Sequence, residues 1–124
     1  MEFKIDTKDT FTTIRPENDT ISANLADVLG EKCGNLRQSG SNNFIVDLSA
    51  ATGMDNDAIP PLLALHEDCY SNDHSLVFTG ITGKVLAVLK EDETDLLLNI
   101  APTMQEAIDI VSMEILERDL FKEE

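Results

Sequence analysis

Five consecutive residues near the middle of the chain, Phe44-Ile45-Val46-Asp47-Leu48, constrain its fold more than any other stretch. Strand side chains alternate between two faces, so a near-continuous apolar run needs cover on both sides. Such a strand belongs inside a sheet sandwiched by helices. It follows a polar loop, Gln38-Ser39-Gly40-Ser41-Asn42-Asn43, and leads through Ser49 to Asp57, a second loop, into a helical pattern.

That pattern, Ala58 to Tyr70, sets Ile59, Leu62, Leu65, His66, Cys69 and Tyr70 on one broad helical face. Pro60 and Pro61 then belong to the first turn, where a missing N–H is tolerated; deeper in a helix each would cost about 3 kcal/mol. Asp57 just ahead of them is expected to cap the helix. Beyond it, Leu76 to Thr79 reads as a strand, Thr82 to Leu89 as a short helix, Leu96 to Ile100 as a last strand, and Thr103 onward as a final helix.

Upstream, Phe3–Ile5 and Phe11–Arg15 are short β-rich runs joined by the polar turn Asp6-Thr7-Lys8-Asp9, and predict an opening hairpin. After Pro16 to Thr20, apolar positions at Ile21, Leu25, Val28, Leu29 and Leu36 predict a helix. Lys32 intrudes on its stripe, so either its stem carries the charge to water or the helix frays between Gly30 and Gly34. The order β-β-α-β-α-β-α-β-α predicts an α/β domain. Its mixed sheet has about five strands, an antiparallel hairpin followed by β-α alternation, with four helices. Residues 1–117 are expected to form one domain, and 118–124 a charged tail or the end of the last helix, with Lys122-Glu123-Glu124 as a flexible terminus.

Charge narrows the partners. The chain has 24 Asp and Glu against 9 Lys and Arg, a formal net charge of −15. Nucleic acid and anionic membrane are poor partners for it, because both are bound largely through Lys and Arg; a basic protein face suits it better. No window is long and apolar enough to span a bilayer, and Met1-Glu2-Phe3-Lys4-Ile5-Asp6 lacks a signal pattern, so a cytoplasmic location is expected.

Cys33 and Cys69 fall on predicted helices without ligand pairing and read as small apolar fillers. Among His66, Glu67, Asp68 and Cys69 only His66 and Cys69 share a helical face, and that face is apolar. A core-edge histidine and a buried thiol are expected there rather than a metal site, and His74 in its polar turn is given no role. No nucleophile elbow or Gly-rich phosphate loop occurs. The expectation is a chain without catalysis, metal or cofactor.

Element order, length and local motifs together resemble the STAS domain family of anti-sigma-factor antagonists over nearly the whole chain. In that family a buried strand ending in Asp-Leu-Ser is followed by a short loop, a hydrophobic-Asp pair, a Ser/Thr-Ser/Thr-Gly tripeptide and an apolar helix. The matching stretch here runs from Phe44 through Asp47-Leu48-Ser49 and Met54-Asp55-Asn56-Asp57-Ala58-Ile59. Ser75 to Ile81 resembles the next strand and turn, Val85 to Leu89 the short helix, and Thr103 to Ile108 the start of the closing helix.

The resemblance implies signalling or transcription regulation through a protein partner, of anti-sigma-factor-kinase type. The implied surface is the loop-helix junction, namely Met54, Asp55, Asn56, Asp57, Ala58, Ile59 and Leu62. Family members that switch partners are phosphorylated on the second hydroxyl residue after the aspartate. The matching position here is Asp57, which has no hydroxyl but carries a fixed negative charge. Other STAS domains serve transport or stress-signalling assemblies.

A different class also has features in its favour. Asp47 and Asp55 lie near the carboxyl end of the central strand, where a receiver-like domain would place a phosphoaccepting aspartate and Mg²⁺. A receiver needs an acidic pair after its first strand with a helix immediately following, whereas here a second strand follows the first turn, and the last predicted strand ends in Ala101-Pro102 rather than Lys-Pro.

The final helix offers a separate sign of association. Met104, Ala107, Ile108, Val111 and Ile115 make one apolar stripe, while Met113, Leu116 and Leu120 fall on the opposite side. Either a second copy or another protein covers the outer stripe, or the helix bends after Ser112 and one molecule buries both.

Overall fold

The computed structural model describes residues 1–122. Strand β1 (Phe3–Thr7) pairs antiparallel with β2 (Thr12–Pro16), with Phe3 opposite Pro16 and Thr7 opposite Thr12. A two-residue strand, β3 (Thr20–Ile21), precedes helix α1 (Ala23–Gln38), which Ser22 caps by accepting the Leu25 N–H at 3.1 Å. Ile21, expected inside this helix, is a strand residue because it enters a second ladder described below. The helix runs unbroken through Gly30 and Gly34, and the Lys32 ammonium lies 5.8 Å from the Phe3 ring centroid, over an aromatic face.

Next come β4 (Phe44–Asp47), the two-residue β5 (Gly53–Met54), a 3-10 turn over Asn56–Ala58, and helix α2 (Ile59–Ser71). Strand β6 (Leu76–Thr79), helix α3 (Gly83–Glu91) and helix α4 (Met104–Lys122) complete the chain. The main sheet has the order β1-β2-β4-β6, with β4 parallel to both neighbours, and β3 and β5 make a separate parallel pair. Four helices and a mixed sheet are the α/β architecture read from the sequence.

The expected strand from Leu96 to Ile100 contracts to one parallel bridge between Ile100 and Phe78. The Phe78 N–H donates to the Asn99 carbonyl and the Ala101 N–H to the Phe78 carbonyl, and there the ladder stops. The next acceptor of that ladder, the Ala101 carbonyl, takes the Thr79 hydroxyl instead, at 2.9 Å. Upstream, Thr94–Leu96 forms a 3-10 turn that exposes Leu96 and Leu97 and turns Leu98 into the core. A run of three leucines fits strand and turn equally well; the buried Thr94 and Leu98 decide it.

Strand alternation divides the core. Phe44, Val46, Leu76 and Phe78 point to the side covered by α1, α2 and α3, with Leu25, Leu29, Leu62, Val85 and Leu89. Ile45 and Val77 point the other way and meet Ala107 and Val111 of α4. Both cysteines are free and buried on the first side. Cys69 Sγ accepts from Arg37 Nη2 at 2.8 Å, while His66 stays at the core edge against the Tyr70 ring, 4.7 Å between centroids.

Helix α4 remains one helix to Lys122, so residues 118–122 extend it, and the expected flexible end at Glu123 and Glu124 lies outside the described residues. Two polar knots dock it. The Tyr70 hydroxyl donates to Glu114 Oε1 and accepts from Asn99 Nδ2, each at 2.9 Å. Arg118 Nη2 donates to Asn43 Oδ1 at 2.9 Å and to Ser75 Oγ at 3.0 Å.

Burial pushes the Tyr70 phenol up to about 12 from 10.0, and the Cys33 thiol up to about 12 from 9.0. Both groups are raised in the fold, so their stabilisation is complete below the unfolded pKa and lost as pH rises toward about 12. Urea titrations should show stability falling through that alkaline window. Tyr70→Phe should remove part of the slope, leave the share of Cys33, and lower stability at pH 7 by about 1–3 kcal/mol, because Asn99 and Glu114 lose a partner.

Candidate partner-binding surface at the loop-helix junction

The loop that leaves β4 is held at several points. Asp47 Oδ1 accepts the Ser49 N–H at 2.9 Å, turning the chain as it leaves the sheet. The Ala51 N–H then donates to the Leu48 carbonyl, and Thr82 Oγ1 donates to the Ala51 carbonyl at 3.2 Å. Thr52 and Gly53 N–H groups reach the Asp19 carbonyl, and the Asp55 N–H reaches that of Ile21. Through the β3–β5 pair, residues far apart in sequence therefore fix where the junction stands.

The expected recognition residues divide by burial. Met54, Ala58, Ile59 and Leu62 are buried, with Ala58 fully so. They form the foundation. Asp55, Asn56, Asp57 and Pro60 are exposed and form the ridge above it.

Asp57 is the middle residue of the 3-10 turn, and Ala58 is the residue that caps α2, without a side-chain hydrogen bond. The expected capping role of Asp57 is thereby corrected: the extra 3-10 turn moves the helix start one residue past its reach. The proline pair does sit in the first turn of α2, as its missing donors require. The Ile59 N–H donates to the Asn56 carbonyl, and Pro60 and Pro61 have none to offer. The end of α2 that usually presents free N–H groups to an anion is closed. The Asp57 carboxylate is displayed to solvent instead.

A shallow groove continues from the ridge between α1 and α2, lined by Ala26, Asp27, Gly30, Pro61, Ala64 and Asp68. Asp68 on its rim accepts from Arg37 Nη1 at 2.6 Å. The reading of single segments missed Asp27 and Gly30, because only the packing of α1 on α2 brings them beside Pro61. A glycine inside a helical pattern, Gly30, was the one available signal.

A profile of the STAS domain matches residues 2–107. The chain belongs to the STAS domain family. No curated protein matches it. Among solved structures, an anti-sigma factor antagonist from Mycobacterium paratuberculosis is similar, at a TM-score of 0.75 and 15% identity, covering 90% of this chain and 93% of that one. SpoIIAA in its unphosphorylated form gives a TM-score of 0.70 at 15% identity, covering 90% and 96%. A serine-to-glutamate variant of RsbS from Moorella thermoacetica gives 0.72 at 20% identity, covering 95% and 99%. At these identities the likeness is one of fold, and the STAS fold is what the two-sided sheet and the held junction build.

Gly80 supports the junction from β6. Its φ is +70°, and a Cβ there would collide with Asp47 Oδ1 and press on Ser49 N at 3.0 Å. Gly80→Ala should therefore destabilise the domain by about 2 kcal/mol or more, from left-handed backbone strain and the clash together. Urea unfolding measures the loss. Limited proteolysis should show residues 48–57 becoming the first cleavage site.

Proposed function

We propose that this STAS domain is a non-enzymatic interaction module of the anti-sigma-factor-antagonist type, binding a regulatory protein through Asp55, Asn56, Asp57 and Pro60. The observation that carries the reading is a fixed acidic ridge on a buried base, at the position where the family's switching residue stands. The buried Met54, Ala58, Ile59 and Leu62 hold the ridge rather than touch the partner.

Asp57 makes this surface permanently negative. SpoIIAA, a fold neighbour, is known in unphosphorylated and phosphorylated forms, so a charge change at a STAS domain is compatible with the same fold. Here no hydroxyl is available at the matching position, and the first turn of α2 adds no free N–H for a phosphoryl group, since that of Ile59 is taken by the Asn56 carbonyl and Pro60 and Pro61 have none. The ridge therefore acts as a constant surface, recognised by a partner with a basic face, and association proceeds without covalent switching. The net charge of −15 speeds encounter with such a partner.

A receiver-like reading through Asp47 or Asp55 has less support. One Asp47 oxygen is committed to the Ser49 N–H and packs against Gly80. Among the described residues no three His, Cys, Asp or Glu side chains gather as a metal site needs. No described helix is long and apolar enough to cross a membrane.

Binding to the anti-sigma-factor-type kinase of the same cell, measured by calorimetry, tests the proposal. Asp55→Lys with Asp57→Lys should weaken it by about tenfold or more while the circular dichroism spectrum is unchanged. Asp57→Ser should restore a phosphoacceptor, so that kinase and ATP add one phosphoryl group and release the complex. Unaltered affinity in the lysine variant would show that the ridge is not the contact.

A further inference from the structure

The outer face of α4 lies mostly beyond the STAS match, which ends at Ala107, and the surface just described does not use it. Met113, Leu116 and Leu120 are 62%, 59% and 57% exposed. The helix runs to Lys122, and its inward stripe of Ala107 and Val111 is already buried against the sheet, so the outer residues stay largely open to solvent. Three large apolar side chains at i, i+3 and i+7 form the seam of a helix-helix contact.

Charge decides what fits that seam. At 100° per residue, Glu106, Asp109 and Glu117 fall in the same arc as Met113, Leu116 and Leu120, about 100° wide. All three carboxylate residues are exposed. The cations of this helix are elsewhere: Arg118 is turned inward onto Asn43 and Ser75, and Lys122 lies on the side opposite the seam. Pairing two copies would bring two sets of three carboxylates into one contact, and an anionic bilayer would repel them equally.

We infer that the outer face of α4 is a docking site for a basic amphipathic helix of another protein, with apolar seam residues on Met113, Leu116 and Leu120 and Lys or Arg against Glu106, Asp109 and Glu117. With the acidic ridge at the start of α2, the domain then carries two separate partner surfaces.

The probe is a fluorescein-labelled helical peptide of about 18 residues, five turns, with leucines at heptad spacing and lysines beside them. Anisotropy should show it binding the intact protein, weakening as salt is raised. Leu116→Asp should weaken binding at least about tenfold, and Asp109→Lys with Glu117→Lys should do likewise. Glu91→Lys with Asp92→Lys, an equal charge change at exposed positions on α3 and just after it, should leave affinity within about twofold, which separates a site from general attraction to an acidic protein. Leu116→Gln repeats the test should the aspartate variant fail to fold.

The inference is overturned by no binding by the intact protein, by equal loss in the α3 control, or by a light-scattering dimer that Leu116→Asp dissociates. Flotation with phosphatidylglycerol vesicles that the same substitution abolishes would assign the face to a membrane and overturn it too. None of these readouts involves Asp55 or Asp57, so failure here leaves the α2 ridge to its own test.

Discussion

The structure depends on one strand being buried on both faces. Phe44 and Val46 enter the larger core and Ile45 the smaller, while the backbone pairs in parallel with β2 on one edge and β6 on the other. Parallel neighbours require crossovers, and the crossovers are α1 and α2, which pack over the same face. Removing apolar volume from this strand would loosen two layers at once. The carboxyl end of the strand is also where the loop toward the ridge begins, so the stiffness of the core passes directly to the candidate surface.

That transfer needs polar chemistry as well as packing. Asp47 closes the turn after β4, Gly80 makes room for its carboxylate, and carbonyls of Asp19 and Ile21 hold the loop from the opposite side. Each bond is modest by itself, about 1 kcal/mol net. Acting on a loop whose apolar residues are already buried, they remove the freedom that a solvated loop would keep. A surface fixed in advance loses little entropy on binding.

The distribution of charge follows the same division between inside and outside. The few cations that reach inward are occupied, Arg37 by Asp68 and Cys69, and Arg118 by Asn43 and Ser75. Tyr70 and Asn99 take the Glu114 carboxylate, the one acidic group of α4 tied into the fold by these knots. What is left outside is largely negative: Asp55 and Asp57 at one end of α2, and Glu106, Asp109 and Glu117 around an apolar seam. The two acidic surfaces differ in texture, one polar and one mixed with apolar side chains.

Periodicity and breakers made most of the fold legible in the sequence. The apolar run at Phe44 can only be an interior strand, the helical spacing from Ile59 to Tyr70 admits one face, and two prolines can only open a helix. These are local constraints, with short-range steric and solvation causes, and the family resemblance rode on their order. Tertiary contacts decided the rest. Ile21 left its helical pattern to pair beside Met54, Leu96 to Ile100 gave up a strand once Leu98 found the core and the Thr79 hydroxyl took the Ala101 carbonyl, and a 3-10 turn took Asp57 away from the helix cap. Burial splits the stretch from Met54 to Leu62 into an exposed block, Asp55 to Asp57, and a buried base, since which side of a turn faces water depends on the elements packed beneath it. The sequence determined the layers and their order through local pattern; which residues of the junction reach solvent was decided only by non-local packing.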